Sequence, residues 1–140
     1  MLRAYPRETV VAEKIEAMVS LEMANSRMKD FFDLLTIARK FPFNGVLLCE
    51  AIRATFNRRG TDIPREIPIA LTTAFAQNES KHNQWIAFPR RSGLEGSSLG
   101  LDDVVDELAL FLAEPLTAAS LNRDFEQHWQ PGGPWRPEKK

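Results

Sequence analysis

The chain has 140 residues, of which 44% are apolar, and this is long enough for one domain with a hydrophobic core. Nothing in the sequence indicates a second domain. The formal net charge of −1 hides an uneven distribution, since residues 1–91 hold 14 Lys and Arg against 10 Asp and Glu, while residues 92–140 hold 4 against 9.

The single cysteine, Cys49, excludes an internal disulfide and a zinc site built on cysteines. It falls in an apolar helical pattern, where a thiol is usually buried. The sequence contains neither a signal peptide nor a run of 18 apolar residues, so it gives no support to secretion or membrane insertion. We therefore expect a cytoplasmic protein without a membrane partner.

Residues 7–41 predict two amphipathic helices joined by a short Asn/Ser turn. In the first helix, the apolar residues occupy an arc of about 140° around the helix axis; they are Val10, Val11, Ile15, Met18 and Leu21. The second helix gathers its apolar residues on one side in the same way, namely Met28, Phe31, Leu34, Leu35, Ala38 and Phe41. Each face contains one charged residue, Lys14 in the first and Asp30 in the second, and Asp33 flanks the second face.

Lys14 and Asp30 need an explanation, because burying an unpaired charge costs several kcal/mol. The two side chains therefore either pair with each other or face a polar site. Spacing alone favours an inter-helix salt bridge, or a lysine that extends along its apolar neighbours to reach water. Asp33 supplies a second carboxylate about a helical turn away, which a structural bridge does not need, and for this reason we favour an open polar site. In an open site Lys14→Met is expected to be neutral or stabilising, whereas in a buried pair it costs about 3 to 5 kcal/mol.

Three further helical regions follow, at residues 44–59, at residues 72–88 with an interruption near Asn78, and from residue 101 onwards. Pro115 is expected to kink or end the last of them. Between the third and fourth helices, residues 61–71 contain two prolines and alternating apolar residues, which favour an extended strap over the helices.

The sequence thus predicts an all-α protein in which residues 1–140 form a single bundle of about five helices with an extended proline-containing strap. Residues 90–100 are rich in Gly and Ser and are predicted to be a flexible loop. Residues 131–140 form a Pro/Gly-rich tail, and we expect Trp129 and Trp135 to pack back onto the bundle.

Arginines of the basic half are candidates for binding nucleic acid, because such binding draws mainly on contacts between Lys or Arg and phosphates. They are Arg53, Arg58, Arg59, Arg65, Arg90 and Arg91. A solvated helix face fits the same pattern, since no stacking aromatic residues interleave the arginines.

Arg123 and His128 have the R-x4-H spacing that resembles the catalytic motif of HEPN-type ribonucleases. A pair with this spacing arises readily by chance, so the motif is not specific. Neither His82 nor His128 has a second histidine nearby, and no metal site is predicted.

Two strings in the predicted helical pair, VVAEKIEAM and SRMKDFFDLLTIAR, resemble the last two sequence motifs of the AbiEii/AbiGii-type nucleotidyltransferase toxin family. That family carries a lysine in an EK helix and then an R-x-K-D-x-x-D-L helix. The matching residues are Glu13, Lys14, Arg27, Lys29, Asp30, Asp33 and Leu34, and looser similarity continues to the PGGPW string near the end of the chain. Because several polar positions are in register over a long string, the match is far more specific than a short motif.

The resemblance implies transfer of a nucleotide to an RNA, such as a tRNA, or to another acceptor, with an antitoxin as partner protein. It assigns catalytic roles to Lys14, Asp30 and Asp33 and nucleotide binding to Lys14, Arg27 and Lys29. In such a site the lysine contacts the triphosphate, and the aspartate acts as a base or orients the lysine.

The family pattern also has a Gly-Gly or Gly-Ser turn and an acidic D-x-D pair that binds Mg²⁺. No D-x-D occurs in the 140 residues, and Gly132-Gly133 lies among prolines rather than after a predicted strand. We therefore expect that the N-terminal metal-binding half is absent, that the NTP and Mg²⁺ implied by the family are not bound by this chain alone, and that the chain is inactive without a separately supplied half. The alternatives are a non-catalytic module that binds RNA or an antitoxin, a gene remnant, or a ribonuclease.

Overall fold

The structure, a computed structural model, describes residues 6–22, 27–88 and 99–137. These residues form a predominantly helical fold, which confirms the predicted fold class. The helices are α1 (Pro6–Leu21), α2 (Met28–Lys40), α3 (Gly45–Arg59), α4 (Thr73–Gln77), α5 (Glu79–Ala87) and α6 (Leu101–Ser120). The strands are β1 (Phe43–Asn44), β2 (Gln127–Trp129) and β3 (Trp135–Pro137). No helix in these three ranges is long and apolar enough to cross a membrane.

Side-chain caps set where the middle helices begin. The side-chain oxygen of Asn44 accepts a hydrogen bond from the backbone N–H of Leu47 at 3.0 Å and so starts α3. The side chain of Asn78 accepts one from the N–H of Lys81 at 3.1 Å and starts α5 directly after α4. The predicted interruption at Asn78 is therefore complete, and the described residues contain six helices rather than the five expected.

Residues 61–71 have no strand and only one short 3-10 turn, Ile69–Leu71, as expected for an extended strap. Ala70 and Leu71 are buried against the helices, while Ile67 and Ile69 are exposed. The hydroxyl of Thr117 on α6 donates to the carbonyl of Arg65 at 3.4 Å. The strap thus lies over the bundle and is fixed to it mainly by burial of Pro68, Ala70 and Leu71.

Helix α6 is the central element of the core and packs against α2, α3 and α4. Its buried apolar residues recur with the helical period, and they include Leu101, Val104, Val105, Leu108, Phe111, Leu112 and Leu116. Helix α1 contacts α2 but packs most extensively against α3. The first two helices are in contact, and α1 rests mainly on α3 while α2 rests mainly on α6.

The chain end forms a small sheet that the sequence did not predict. Strand β2 pairs antiparallel with β1 on one side and with β3 on the other. Trp129 and Trp135 are buried, as expected. The ring centroid of Phe111 lies 4.7 Å from that of Trp129 and 6.1 Å from that of Trp135. Residues 90–98 of the predicted loop and residues 138–140 of the predicted tail lie outside the described residues.

Pro115 does not end its helix, because α6 continues to Ser120. Proline has no backbone N–H, so residue 115 cannot donate to the carbonyl of Phe111 one turn earlier. The indole Nε1 of Trp135 donates to that carbonyl at 2.8 Å instead. The indole of Trp129 likewise donates at 2.8 Å to the carbonyl of Ala38 near the C-terminal end of α2. The two tryptophans therefore join the chain end to α2 and α6 through specific hydrogen bonds as well as by apolar packing.

This arrangement predicts an energetic coupling between Trp135 and Pro115. Trp135→Phe leaves a buried carbonyl without its donor and should cost about 1 to 3 kcal/mol of unfolding free energy. In a Pro115→Ala background the new N–H can bond to Phe111, so the cost of Trp135→Phe should fall by about 1 kcal/mol. Urea melts of the four proteins measure the coupling, with Trp129→Phe in both backgrounds as the control that should not change. If Trp135→Phe lowers the free energy of unfolding equally in both backgrounds, the hydrogen bond from Trp135 to the carbonyl of Phe111 does not contribute to stability.

Candidate functional site

Helices α1 and α2 bring the three predicted catalytic residues together. The ammonium Nζ of Lys14 lies 3.0 Å from Oδ1 of Asp30 and 3.2 Å from Oδ2 of Asp33. Asp30 and Asp33 are in the first two turns of α2, three residues apart, so both carboxylates face α1 from the same side of the helix. One lysine therefore bridges two carboxylates across the helix pair.

Burial and charge act in opposite directions on Lys14. Partial burial lowers the pKa of its ammonium group, but the hydrogen bonds to Asp30 and Asp33 and their charges together outweigh this and raise the pKa above the usual value of 10.5. The side chain of Asp30 is only 7% exposed, against 21% for Lys14 and 27% for Asp33. Lys14 thus keeps a positive charge at neutral pH, and it is held in place chiefly by the more buried of its two partners.

The two predicted nucleotide-binding cations of α2 belong to the same cluster. Nε of Arg27 lies 3.0 Å from Oδ2 of Asp30, and Nζ of Lys29 lies 2.8 Å from Oδ2 of Asp33. Both cations are mostly exposed, while the carboxylates they contact are not. Three cations surround two carboxylates, so the cluster carries one net positive charge at neutral pH.

A cavity of about 190 Å³ opens beside this cluster. It is lined by residues of α1, the start of α2 and the end of α3, namely Val10, Glu13, Lys14, Ala17, Arg27, Asp30 and Arg59. The sequence left open whether Lys14 and Asp30 pair or face a polar site. In the structure they pair with each other and also line a cavity.

The arginines considered for nucleic-acid binding do not share one environment. Nη2 of Arg58 lies 3.4 Å from Oε2 of Glu13, and Nη1 of Arg59 lies 3.1 Å from Oε1 of the buried Glu16. The hydroxyl of Thr61 donates to the other oxygen of Glu16 at 2.6 Å. These contacts hold α3 against α1, so Arg58 and Arg59 have a structural role whatever else they bind.

Two other arginines of the same set lie elsewhere. Arg53 is half-buried on α3, and its Nη1 atom has no hydrogen-bond acceptor among the residues that the structure describes. Arg65 is exposed on the strap. Arg90 and Arg91 lie outside the described residues.

Arg123 and His128 are not on a helix. Arg123 follows the end of α6, and His128 is in β2, opposite Asn44 of β1 and Arg136 of β3. The R-x4-H spacing therefore spans an irregular segment and a strand, where the two side chains do not have the geometry of one helix face.

The described residues offer no site for a metal ion. Within residues 6–22, 27–88 and 99–137, no three His, Cys, Asp or Glu side chains come together in a way that could hold one. Asp30 and Asp33 are already in contact with three cations, and a divalent cation would have to displace them. The chemistry of this cluster suits an anion better than Mg²⁺.

Two residues beside the cluster were not singled out as part of it from the sequence. Arg59 lines the cavity next to Lys14, and Gln84 of α5 lines a second cavity next to Asp30. Both residues are far from Lys14 and Asp30 in the sequence. The helical periodicity of one segment therefore could not predict that they lie beside the cluster.

The geometry predicts that Lys14 contributes to stability, in contrast to the expectation for an open site. Lys14→Met should cost about 1 to 3 kcal/mol at pH 7, less than a fully buried pair, because the lysine is partly exposed and Asp30 keeps Arg27 as a partner. Lys29→Met is the control, because it removes an exposed ion pair with Asp33, which Lys14 also contacts. It should lower the free energy of unfolding by no more than about 0.5 kcal/mol. Because folding raises the pKa of Lys14, this contribution is fully present below pH 10.5 and is lost as the pH rises through the higher folded value. Denaturant melts at several pH values measure both effects, and a neutral or stabilising Lys14→Met at pH 7 would restore the open-site expectation.

Comparison with known proteins agrees with the motif resemblance. The family model described as "Nucleotidyl transferase AbiEii toxin, Type IV TA system" matches residues 1–126. Neither the curated proteins nor the solved structures contain a significant match. The matched range includes Lys14, Asp30, Asp33, Arg27 and Lys29, and it covers nearly the whole chain. The chain belongs to the AbiEii nucleotidyl transferase toxin family.

Proposed function

We propose that this chain supplies the lysine and aspartate part of a nucleotidyltransferase active site, and that the triphosphate of an NTP binds at Lys14. The observation that carries the proposal is the cluster of three cations and two carboxylates beside an open cavity. A triphosphate carries several negative charges, and it is attracted by the cations Lys14, Arg27 and Arg59, which line the cavity together with the carboxylates of Glu13 and Asp30.

Lys14 is the central residue of the proposed site. Its charge is maintained by Asp30 and Asp33, and its side chain is partly accessible from the cavity. In nucleotide transfer a hydroxyl oxygen of the acceptor attacks the α-phosphorus, and the bond to pyrophosphate breaks. An ammonium group at the phosphates stabilises the charge that moves onto the departing oxygens.

Asp30 is proposed as a positioning residue. It is the most buried member of the cluster, and its Oδ1 accepts a hydrogen bond from Lys14. A carboxylate in this place orients the ammonium group towards the cavity and limits its rotation. Asp33 is shared by Lys14 and the exposed Lys29, so it has less control over where Lys14 points.

The metal ion that this family implies does not fit the described residues. The sequence also contains no D-x-D pair. We propose that acidic metal ligands come from another polypeptide segment or another chain, and that residues 1–140 alone bind an NTP but do not transfer it. By family, the acceptor is proposed to be an RNA, and the partner an antitoxin that controls the activity.

A cytoplasmic location is part of the proposal. The one cysteine, Cys49, is buried, and burial raises the pKa of its thiol to about 11. Such a thiol is largely protonated and unreactive at neutral pH. This fits a chain that needs no disulfide and works in a reducing compartment.

The affinity of the purified chain for labelled NTP tests the proposal. Substitutions of Lys14, Asp30 and Asp33 are compared with the unchanged chain. Lys14→Met should weaken binding about tenfold or more, while Lys40→Met, at the exposed far end of α2, should have little effect. Asp30→Asn and Asp33→Asn remove the same charge and would both tighten binding of an anion if only net charge mattered. Because Asp30 positions Lys14, Asp30→Asn should weaken binding although it makes the cluster more positive, and Asp33→Asn should not.

Other outcomes identify the competing classes. Binding that is unchanged in Lys14→Met would exclude Lys14 as a triphosphate ligand and would favour a non-catalytic module or a remnant. Transfer of label to RNA by the chain alone, with Mg²⁺ present, would show that no further metal-binding part is needed. RNA cleavage that disappears in His128→Ala would favour a ribonuclease.

A further inference from the structure

A second cavity, of about 510 Å³, lies between the first turn of α2 and the last turns of α5. Its lining residues are Arg27, Met28, Lys29, Asp30, Gln84, Ala87 and Phe88. Gln84 and Ala87 are three residues apart and lie on one face of α5, and Phe88 follows directly as the C-cap residue of this helix. The volume is within the range of about 300 to 1,000 Å³ that is usual for small-molecule sites, whereas the cavity beside Lys14 is smaller than that range.

Gln84 contributes a hydrogen-bonding group that the fold does not use. Its side-chain Oε1 atom is buried, and no residue in the described ranges donates a hydrogen bond to it. Buried polar atoms are nearly always paired, so this unpaired oxygen, on a residue that lines the cavity, points to a partner that the described residues do not supply. The oxygen has almost no exposed surface, so a ligand reaches it only when the side chain of Gln84 rotates. An amide has both donors and an acceptor, which are the groups that pair with the edge of a nucleobase.

Phe88 contributes an aromatic surface. Its ring is half-buried and is held by two neighbours, with centroids 6.0 Å from Trp85 and 5.9 Å from Phe32. A ring that already contacts two aromatic neighbours loses little freedom when a planar ligand stacks on it. Stacking on aromatic side chains is a general way to hold a nucleobase, because every base has a π-face.

The two cavities meet at Arg27 and Asp30, which line both of them. A nucleotide has two chemically different parts, an anionic phosphate chain and a planar base with hydrogen-bonding edges. The smaller cavity has the cations that suit the first part, and the larger one has the amide, the aromatic ring and the apolar Met28 and Ala87 that suit the second.

We propose that the cavity formed by Gln84, Phe88 and the first turn of α2 is a nucleoside subsite, in which Phe88 stacks on the base and Gln84 hydrogen-bonds to its edge. The inference rests on the proposed function, because it places this subsite next to the triphosphate at Lys14. The nucleoside comes either from the incoming NTP or from the terminal nucleotide of the acceptor RNA, and the chemistry of recognition is the same for both.

Calorimetric titration of the full chain with four kinds of probe tests the subsite. The probes are inorganic tripolyphosphate, the four NTPs, the four free nucleosides and short single-stranded RNAs that end in each base. Gln84→Leu should weaken binding of the base-containing probe about 3- to 10-fold and change which base is preferred. Phe88→Leu should weaken it about 5- to 150-fold for all bases. Neither substitution should change the affinity for tripolyphosphate, and Gln77→Leu, on the exposed face of α4, should change nothing. Should Phe88→Leu fail to fold, the Gln84→Leu comparison still decides.

The outcomes separate this inference from the proposed function. If tripolyphosphate binds and NTPs bind no more tightly, the nucleoside subsite is refuted while the triphosphate site stands. If nucleosides bind in a way that depends on Gln84 but tripolyphosphate does not bind, the subsite stands and the triphosphate site fails. An effect of Gln84→Leu on NTPs but not on RNAs assigns the subsite to the incoming nucleotide, and the reverse assigns it to the acceptor. If neither Gln84→Leu nor Phe88→Leu changes the affinity for any of the probes, the nucleoside subsite is refuted.

Discussion

The contact of one lysine with two aspartates is the interaction on which the candidate site depends. Lys14 approaches both Asp30 and Asp33 within 3.2 Å, and this joins α1 to α2 at a place where both helices otherwise present apolar faces. The carboxylates keep the lysine charged in a partly buried position, and Arg27 and Lys29 then give the cluster its net positive charge. One carboxylate would be enough for a structural bridge, and this cluster has two, each of which also contacts a second cation.

The rest of the fold determines where α1 and α2 lie. Helix α1 is fixed to α3 by apolar packing and by the ion pairs of Arg58 and Arg59. Helix α2 rests on α6, and its C-terminal end is held through Trp129. In the turn before β3, the backbone of Gly133 lies close to the ring of Trp129. This position needs glycine, because its φ is positive and a Cβ atom would collide with that ring. The small sheet at the chain end therefore fixes the end of α2 opposite to Asp30.

Much of this arrangement could be predicted from residues close together in the chain. The apolar periodicity of α1 and α2 identified the two charged residues that break it, and the cap at Asn44 and the interruption at Asn78 were visible in the sequence. The strands could not be predicted in this way, because β1 and β2 have two and three residues and pair across more than 80 positions. That α6 continues past Pro115 could not be foreseen for a similar reason, since the donor that replaces the missing N–H comes from Trp135. Gln84 and Arg59 belong to the surroundings of the site only through tertiary packing.

The proposed site requires that the triphosphate of an NTP reaches Lys14. A crystal structure of this chain with a non-hydrolysable NTP measures this directly. We expect phosphate oxygens within about 3 Å of Nζ of Lys14, the usual distance of a charge-assisted hydrogen bond, with Asp30 still in contact with the lysine. A structure in which Lys14 remains bound only to Asp30 and Asp33, with the phosphates bound elsewhere on the chain, would contradict it.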